Sequence, residues 1–173
     1  TNMYDDFVNK VEEFQPTLIA MTVTESTFLR GMKLIDHLRF KKKYNILTIV
    51  GGVFSTFSPE RVIREDAVDI VCIGEGEKPL VELCEKLEKS ESILKIANLW
   101  VKKKDGTVVK NNPGPAIDIN LLPNIDYTIF ENDRFYRPMR GKVYRMLPIE
   151  THRGCPFTCT FCNSPAQNIL YGD

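Results

Sequence analysis

Apolar residues fall along this chain in two alternating rhythms. Tyr4, Phe7, Val8, Val11 and Phe14 recur at helical spacing, which predicts a helix over residues 4–14 that Pro16 ends. Residues 17–23, Thr-Leu-Ile-Ala-Met-Thr-Val, form a near-continuous apolar run of strand length, the pattern of a strand covered on both faces. Ser26 is then placed to cap a helix carrying Phe28, Met32, Ile35 and Leu38, which runs out in the solvated stretch Arg39 to Lys43. Ile46 to Val50 predicts a second buried strand, closed by Gly51 and Gly52. Ser58 followed by Pro59 reads as a cap with proline at the first helical position, opening a short helix through Glu65. Asp69 to Ile73 predicts a third strand. Pro79 starts a helix with Leu80, Leu83, Cys84 and Leu87 at i, i+3, i+4 and i+7. Met21, Met32 and Trp100 read as core.

Strand and helix alternate three times, the grammar of an α/β fold with right-handed crossovers. The expectation is a doubly wound, mostly parallel, Rossmann- or flavodoxin-like sheet over residues 1–110. Within it, Asn98 to Lys110 reads as a hairpin that turns at Lys104-Asp105-Gly106-Thr107. Residues 111–139 carry Pro113, Gly114, Pro115 and Pro123 early on and read as a linker or irregular arm. Val143 to Glu150 predicts one more strand, running directly into a cysteine-rich loop. The chain opens on a helix with no strand before it and stops eleven residues after its last cysteine. A piece cut at both ends is therefore expected.

Composition narrows the classes. The 173 residues hold 43% hydrophobic and 27% charged side chains, an ordinary globular balance that excludes disordered and collagen-like chains. Lys and Arg number 23 and Asp and Glu also 23, so net charge gives no reason to expect nucleic acid or an anionic membrane as the main partner. The apolar runs are far shorter than the ~18–20 residues that span a bilayer. Tyr4-Asp5-Asp6 stands where a signal peptide would be basic and then apolar. A cytoplasmic protein is expected. The charge is locally uneven, however: Arg134, Arg137, Arg140, Lys142, Arg145 and Arg153 face only Glu150 across residues 134–153. That stretch is either a solvated basic arm or an attractor for an anionic cofactor or substrate.

Five cysteines are present, an odd count, and three lie within eight residues. Cys72 and Cys84 sit in apolar patterns and read as small buried hydrophobes. Cys155, Cys159 and Cys162 need another account. Three thiolates at C-x3-C-x2-C spacing can ligate three irons of a four-iron cluster and leave the fourth open to a substrate. Zinc is the competing ligand, with His152 completing a Cys3His set. Free thiols at this density would invite oxidation. His37, alone on its helix, reads as an ordinary surface or core residue.

The segment Cys155-Pro-Phe-Thr-Cys159-Thr-Phe161-Cys162 resembles the C-x3-C-x-aromatic-C motif of the radical S-adenosylmethionine (SAM) enzymes. The lead-in from Leu147 to Gly154 is similar to that family's first barrel strand and loop. The resemblance implies that Cys155, Cys159 and Cys162 hold a [4Fe–4S] cluster whose open iron binds the amino and carboxylate groups of SAM. An electron, delivered by a flavodoxin- or ferredoxin-type donor, then cleaves SAM to methionine and a 5′-deoxyadenosyl radical. Residues 140–173 would be the start of an incomplete (β/α) barrel.

Two glycine pairs earlier in the chain fit the same picture. Gly51-Gly52 follows a strand, and Gly74-Glu75-Gly76-Glu77 lies between a strand and a helix start, where open α/β sheets bind ligands. Each pair alone reads first as a plain tight turn. With Thr22-Val23-Thr24 they resemble the S/T-x-L/T strand end, the double glycine and the G-E-G-E turn of the cobalamin-binding domain in cobalamin-dependent (class B) radical SAM enzymes. That resemblance implies cobalamin contacts at Thr22, Thr24, Gly51, Gly52, Gly74, Glu75, Gly76 and Glu77. It also implies a small-molecule or metabolite substrate and, most commonly, methyl transfer to an unactivated carbon or phosphorus. The domain's D-x-H-x-x-G motif would fall before Thr1. The chain alone is expected not to cleave SAM.

Overall fold

The computed structural model describes residues 2–171, which fold as two units, Thr1–Pro115 and Ala116–Asp173. In the first unit, strands β1 (Leu18–Thr22), β2 (Leu47–Gly51), β3 (Ile70–Cys72), β4 (Leu99–Lys102) and β5 (Val108–Lys110) form one sheet in that spatial order. The first three strands are parallel, and β4 and β5 return antiparallel. The sheet is thus mixed, with the Rossmann-like part confined to its first three strands. Helices α1 (Met3–Phe14), α2 (Glu25–Asp36), α3 (Val53–Phe57), α4 (Pro59–Ile63) and α5 (Glu77–Glu88) complete the unit.

Alternation along the strands sends side chains to two faces. Ile49, Ile70, Cys72, Leu99 and Val101 meet Leu83 and Ile96, with Leu80, Leu87, Ile93 and Leu94 packed around them. A second cluster joins Val8 and Val11 of α1 to Leu38, flanked by Phe7, Ile19, Tyr44 and Ile46. At the strand N-termini Arg39 makes a bidentate pair with Asp69, at 3.1 and 2.5 Å, and also donates to Ile46 O at 2.9 Å. Asp69 in turn accepts from the Thr48 amide at 2.9 Å. Arg39 is therefore a half-buried clasp between α2 and the β2–β3 edge, and not part of a solvated run.

Several local expectations shift. Helix α2 starts at Glu25 with Thr24, not Ser26, as its N-cap, because the Thr24 amide bonds the Thr27 hydroxyl at 2.9 Å. Helix α5 begins at Glu77, two residues before Pro79; proline in the first turn costs no intrahelical hydrogen bond, so it does not have to mark the start. Cys84 is exposed. It lies about 100° around the helix from Leu83, the centre of the buried face. Strand β1 occupies an edge of the sheet, and Ala20 and Thr22 on it are exposed. Trp100 is half-buried beneath the Lys110 ammonium, 4.0 Å from its ring centroid. Residues 53–57, to which the apolar pattern assigns no element, form the short helix α3. Helix α2 also continues into a π-helical turn over His37–Lys41.

The second unit begins with short 3-10 turns at Ile119–Leu121, Tyr127–Ile129 and Asn132–Phe135. Asp118 and Asp126 accept from the amides of Asn120 and Thr128, each at 2.9 Å, and these residues' hydrogen bonds hold both carboxyls below the usual range. Strands β6 (Tyr136–Met139) and β7 (Lys142–Arg145) make an antiparallel hairpin, exposed along both strands. The strand expected over Val143 to Glu150 stops at Arg145: Pro148 offers no amide, and residues 147–150 are exposed without a ladder partner. Phe135 is buried among the edges of Tyr127 and Phe130, under the Arg145 guanidinium. Helix α6 (Ser164–Tyr171) follows the cysteine loop.

Candidate functional site

Parallel strands place all their C-terminal ends on one edge of a sheet, and the three motifs lie there together. Thr22 ends β1, Gly51 ends β2, and the two are register partners. The Val23 amide donates to Gly51 O at 2.9 Å, and the Phe54 amide returns to Val23 O at 3.2 Å. Cys72 ends β3, and Gly74 to Gly76 carry the chain over the edge into α5. Thr22 and Thr24 are exposed, while Gly51, Gly52 and Gly74 to Glu77 are half-buried.

The four glycines divide into two kinds. Gly52 has φ +94°, and a Cβ there would stand 2.8 Å from both Thr22 Cγ2 and Val23 O. Gly74 has φ +73°. The backbone favours glycine at both, and at Gly52 the close contacts exclude any Cβ. Gly51 and Gly76 are different: neither has a left-handed φ, and an added Cβ would meet only Cys72, at 3.5 and 3.9 Å, ordinary contacts. The fold does not require them to be glycine.

Chemically this edge offers amides, carbonyls and hydroxyls. Thr24 Oγ1 lies 3.1 Å from both Ser26 Oγ and Thr27 Oγ1, a hydroxyl cluster at the start of α2. The helices α2 and α5 both point their N-termini, the positive ends of their dipoles, toward this edge. Beneath it, burial and the charge of Glu77 push the Cys72 thiol up to about 11. That shift favours the neutral thiol over the thiolate, the form that attacks or binds metal. His37 lies at the other end of α2, about 18 Å along a twelve-residue helix, its ring tilted 39° against that of Tyr4 with centroids 5.0 Å apart.

Three residues outside the sequence motifs hold the edge and the loop. Thr56 in α3 donates its hydroxyl proton to Gly52 O at 3.0 Å and accepts from the Gly74 amide at 2.9 Å. Buried Asn98, at φ +67°, donates to Ile73 O at 2.8 Å and accepts the Gly114 amide at 2.9 Å, while its own carbonyl takes the Ile73 amide at 2.9 Å. The one sequence signal for it is asparagine's tolerance of the left-handed region. The third is Ser164, beside Cys162.

The three loop cysteines are on one exposed segment of the second unit. Cys155 is half-exposed, and Cys159 and Cys162 are exposed. The Cys162 amide donates to Cys159 O at 3.1 Å, closing a tight turn. Ser164 meets Cys162 Sγ with its hydroxyl and its amide, both at 3.4 Å, and these contacts lower the thiol below its usual range. A lowered thiol favours thiolate, the form that binds metal. Among the described residues, no three His, Cys, Asp or Glu side chains converge as a metal-holding group. The donor set is chemically apt for iron or zinc, but the sulfurs are not gathered. His152 keeps Nδ1 3.1 Å from Thr151 Oγ1. Arg153 pairs with Glu150 at 2.9 Å, so the basic stretch is partly neutralised next to the cysteines.

Comparison with known proteins bears on the first unit most directly. Residues 1–84 match the family model of the B12 binding domain. The chain is 29% identical over 166 residues to an uncharacterised methyltransferase of Pyrococcus horikoshii, covering 95% of this chain and 35% of that protein. It is 26% identical over 166 residues to the anaerobic magnesium-protoporphyrin IX monomethyl ester cyclase of Rubrivivax gelatinosus, covering 92% and 29%. The chain thus spans about a third of the length of these curated relatives. Among solved structures, the cobalamin-dependent SAM radical enzyme OxsB with aqua-cobalamin and SAM bound shares the fold, with TM-score 0.57, 21% identity and coverage of 66% of this chain and 16% of that one. The chain resembles the cobalamin-dependent radical SAM enzymes, and residues 1–84 do so through a B12 binding domain.

Proposed function

We propose that the C-terminal edge of β1, β2 and β3 holds cobalamin, and that the loop from Cys155 to Cys162 holds the [4Fe–4S] cluster at which SAM is cleaved, in the service of methyl transfer to an unactivated centre of a small-molecule substrate. The observation that carries the cobalamin half is the pair Gly51 and Gly76, glycines on one sheet edge that no left-handed φ and no steric contact demands, Gly76 also capping α5. A large planar cofactor and its tail need close approach to backbone, and a side chain at either position would stand in the way. Residues 1–110 form the cobalamin domain in this reading, 111–139 an arm and 140–173 the opening of the radical SAM domain, in a cytoplasmic protein served by a flavodoxin- or ferredoxin-type donor.

When bound, the two cofactors supply one-electron cleavage of SAM and a transferable methyl group. The chain's own residues do simpler work. Thr22 and Thr24 present hydroxyls, Gly51, Gly52 and Gly74 to Gly76 present backbone, and Glu75 and Glu77 flank the turn. Burial favours the neutral form of Cys72, which disfavours it as a competing ligand. Ser164 biases Cys162 toward thiolate. The segment supplies three sulfurs and leaves a four-iron cluster one open iron for SAM.

Anaerobic reconstitution with iron and sulfide, followed by cobalamin titration, tests both halves. The expected result is about four irons per chain, lost in the Cys155→Ala, Cys159→Ala, Cys162→Ala triple variant, with cobalamin uptake kept in that variant. Stoichiometric zinc with no iron uptake overturns the cluster and favours a zinc module. Iron uptake without cobalamin binding leaves a radical SAM protein whose α/β domain serves another ligand. No helix among the described residues is long and apolar enough to cross a membrane.

A further inference from the structure

One side chain ties together two turns that leave different strands. The Thr56 hydroxyl donates to Gly52 O at 3.0 Å, a local bond to a carbonyl four residues earlier that threonine commonly makes within a helix. Its second bond is of another kind. The Gly74 amide donates to the same oxygen at 2.9 Å, across 18 residues, from the exit of β3 to the exit of β2. A hydroxyl has one proton and two lone pairs, so both bonds form at once, and donation to Gly52 turns a lone pair toward Gly74. Gly52 and Gly74 both sit at positive φ and lack side chains, so little in the turns themselves fixes their mutual distance. From the other side, Asn98 holds Ile73 by both its amide and its carbonyl. Gly74 is thus braced between Asn98 and Thr56.

We infer that Thr56 is the positioning residue that sets the Gly51-Gly52 turn and the Gly74–Glu77 turn against each other as a single binding edge. The inference rests on the cobalamin reading for its ligand, though not for its geometry. A site whose two lips are already spaced loses less freedom on binding, so affinity should follow the bridge. Any titratable side chain would fix the spacing only over part of the pH range; a hydroxyl does so at all pH values near neutrality.

Thr56→Val removes the hydroxyl while keeping the branched shape, and Thr56→Ser keeps the hydroxyl while dropping the methyl. The readouts are hydrogen exchange at the Gly74 amide and aqua-cobalamin titration, both on the whole chain, with the amides of Val50 and Val71 reporting that the sheet is intact. Thr56→Val is expected to exchange at Gly74 about tenfold faster and to bind cobalamin about tenfold more weakly, the worth of one hydrogen bond. Thr56→Ser is expected to restore both. Unchanged Gly74 exchange in Thr56→Val overturns the bridge. Faster exchange with unchanged affinity overturns the positioning role and leaves a purely structural contact. If the parent chain takes up no cobalamin, the cobalamin reading falls, while the tie between the turns is still decided by Gly74 exchange alone.

Discussion

The two candidate sites in this chain are made of different materials. At the sheet edge the working groups are backbone amides and carbonyls, positioned by a ladder and a core that must form for the unit to fold at all. In the cysteine loop they are side chains on an exposed, irregular segment. Burial shows the contrast: among the described residues, Ile117 and Phe135 are the buried apolar side chains of the second unit, whereas the first has a core on both sides of its sheet. A backbone site is therefore preset by the fold. A thiolate site with ungathered sulfurs would have to be drawn together by the metal it binds, with the binding energy doing the ordering.

That contrast can be broken most directly by stability. Leu99 is wholly buried in the cluster of β4 and α5, so Leu99→Ala is expected to cost about 2–5 kcal/mol in urea unfolding followed in the first unit. Ile149, beside the cysteine loop, is 76% exposed, and Ile149→Ala should stay within about 0.5 kcal/mol. Similar losses for both would mean that the second unit has a core of its own after all. The next effect separates glycines kept for the fold from glycines kept for a ligand. Gly52→Ala forces a methyl to within 2.8 Å of Val23 O at a left-handed φ and is expected to destabilise by about 1–3 kcal/mol. Gly76→Ala meets nothing closer than 3.9 Å and loses only the N-cap preference for glycine over alanine at the start of α5, so its melting curve should fall less than that of Gly52→Ala while cobalamin affinity falls. If Gly76→Ala binds as well as the parent, the open glycine is not a ligand surface.

What the amino-acid sequence makes legible follows the same divide. Strands β1, β2 and β3 and helices α1, α2 and α5 announce themselves because burial imposes a period on the sequence, and those periods are intact here. The edge motifs are legible for a related reason: the strand end, the double glycine and the G-E-G-E turn are each contiguous in sequence. What escapes is whatever depends on partners far along the chain. Cys84 fits the helical pattern, yet its burial depends on which way α5 rolls against Ile49 and Ile70. Arg39 reads as solvated because Asp69 is thirty residues away. The bridging Thr56 and the buried Asn98 carry no local pattern that distinguishes them from an ordinary helix threonine and a turn asparagine. The strand expected from Val143 to Glu150 forms only as far as Arg145, because beyond it Pro148 offers no amide and no neighbouring strand among the described residues is there to pair with.

The smallest predicted effect compares the two regions through their sulfurs. Cys72, raised to about 11 by burial and then by Glu77, should resist iodoacetamide throughout neutral and mildly alkaline pH until urea unfolds the sheet. Cys162, lowered by the hydroxyl and amide of Ser164, should begin to react at lower pH than a free thiol, whose usual value is ~8.5. The signs follow from which form each environment favours: desolvation opposes the thiolate at Cys72, and hydrogen-bond donation stabilises it at Cys162. Ser164→Ala removes the hydroxyl contact and keeps the amide one, so the Cys162 midpoint should move up part of the way toward the ordinary value. Glu77→Gln should bring Cys72 down only slightly, because the first cause there is burial and not charge. Site-resolved mass spectrometry after brief alkylation across about pH 6–10 measures all of this. Early reaction at Cys72 in the native chain would show that the sheet edge opens, and that its backbone site is no more preset than the cysteine loop.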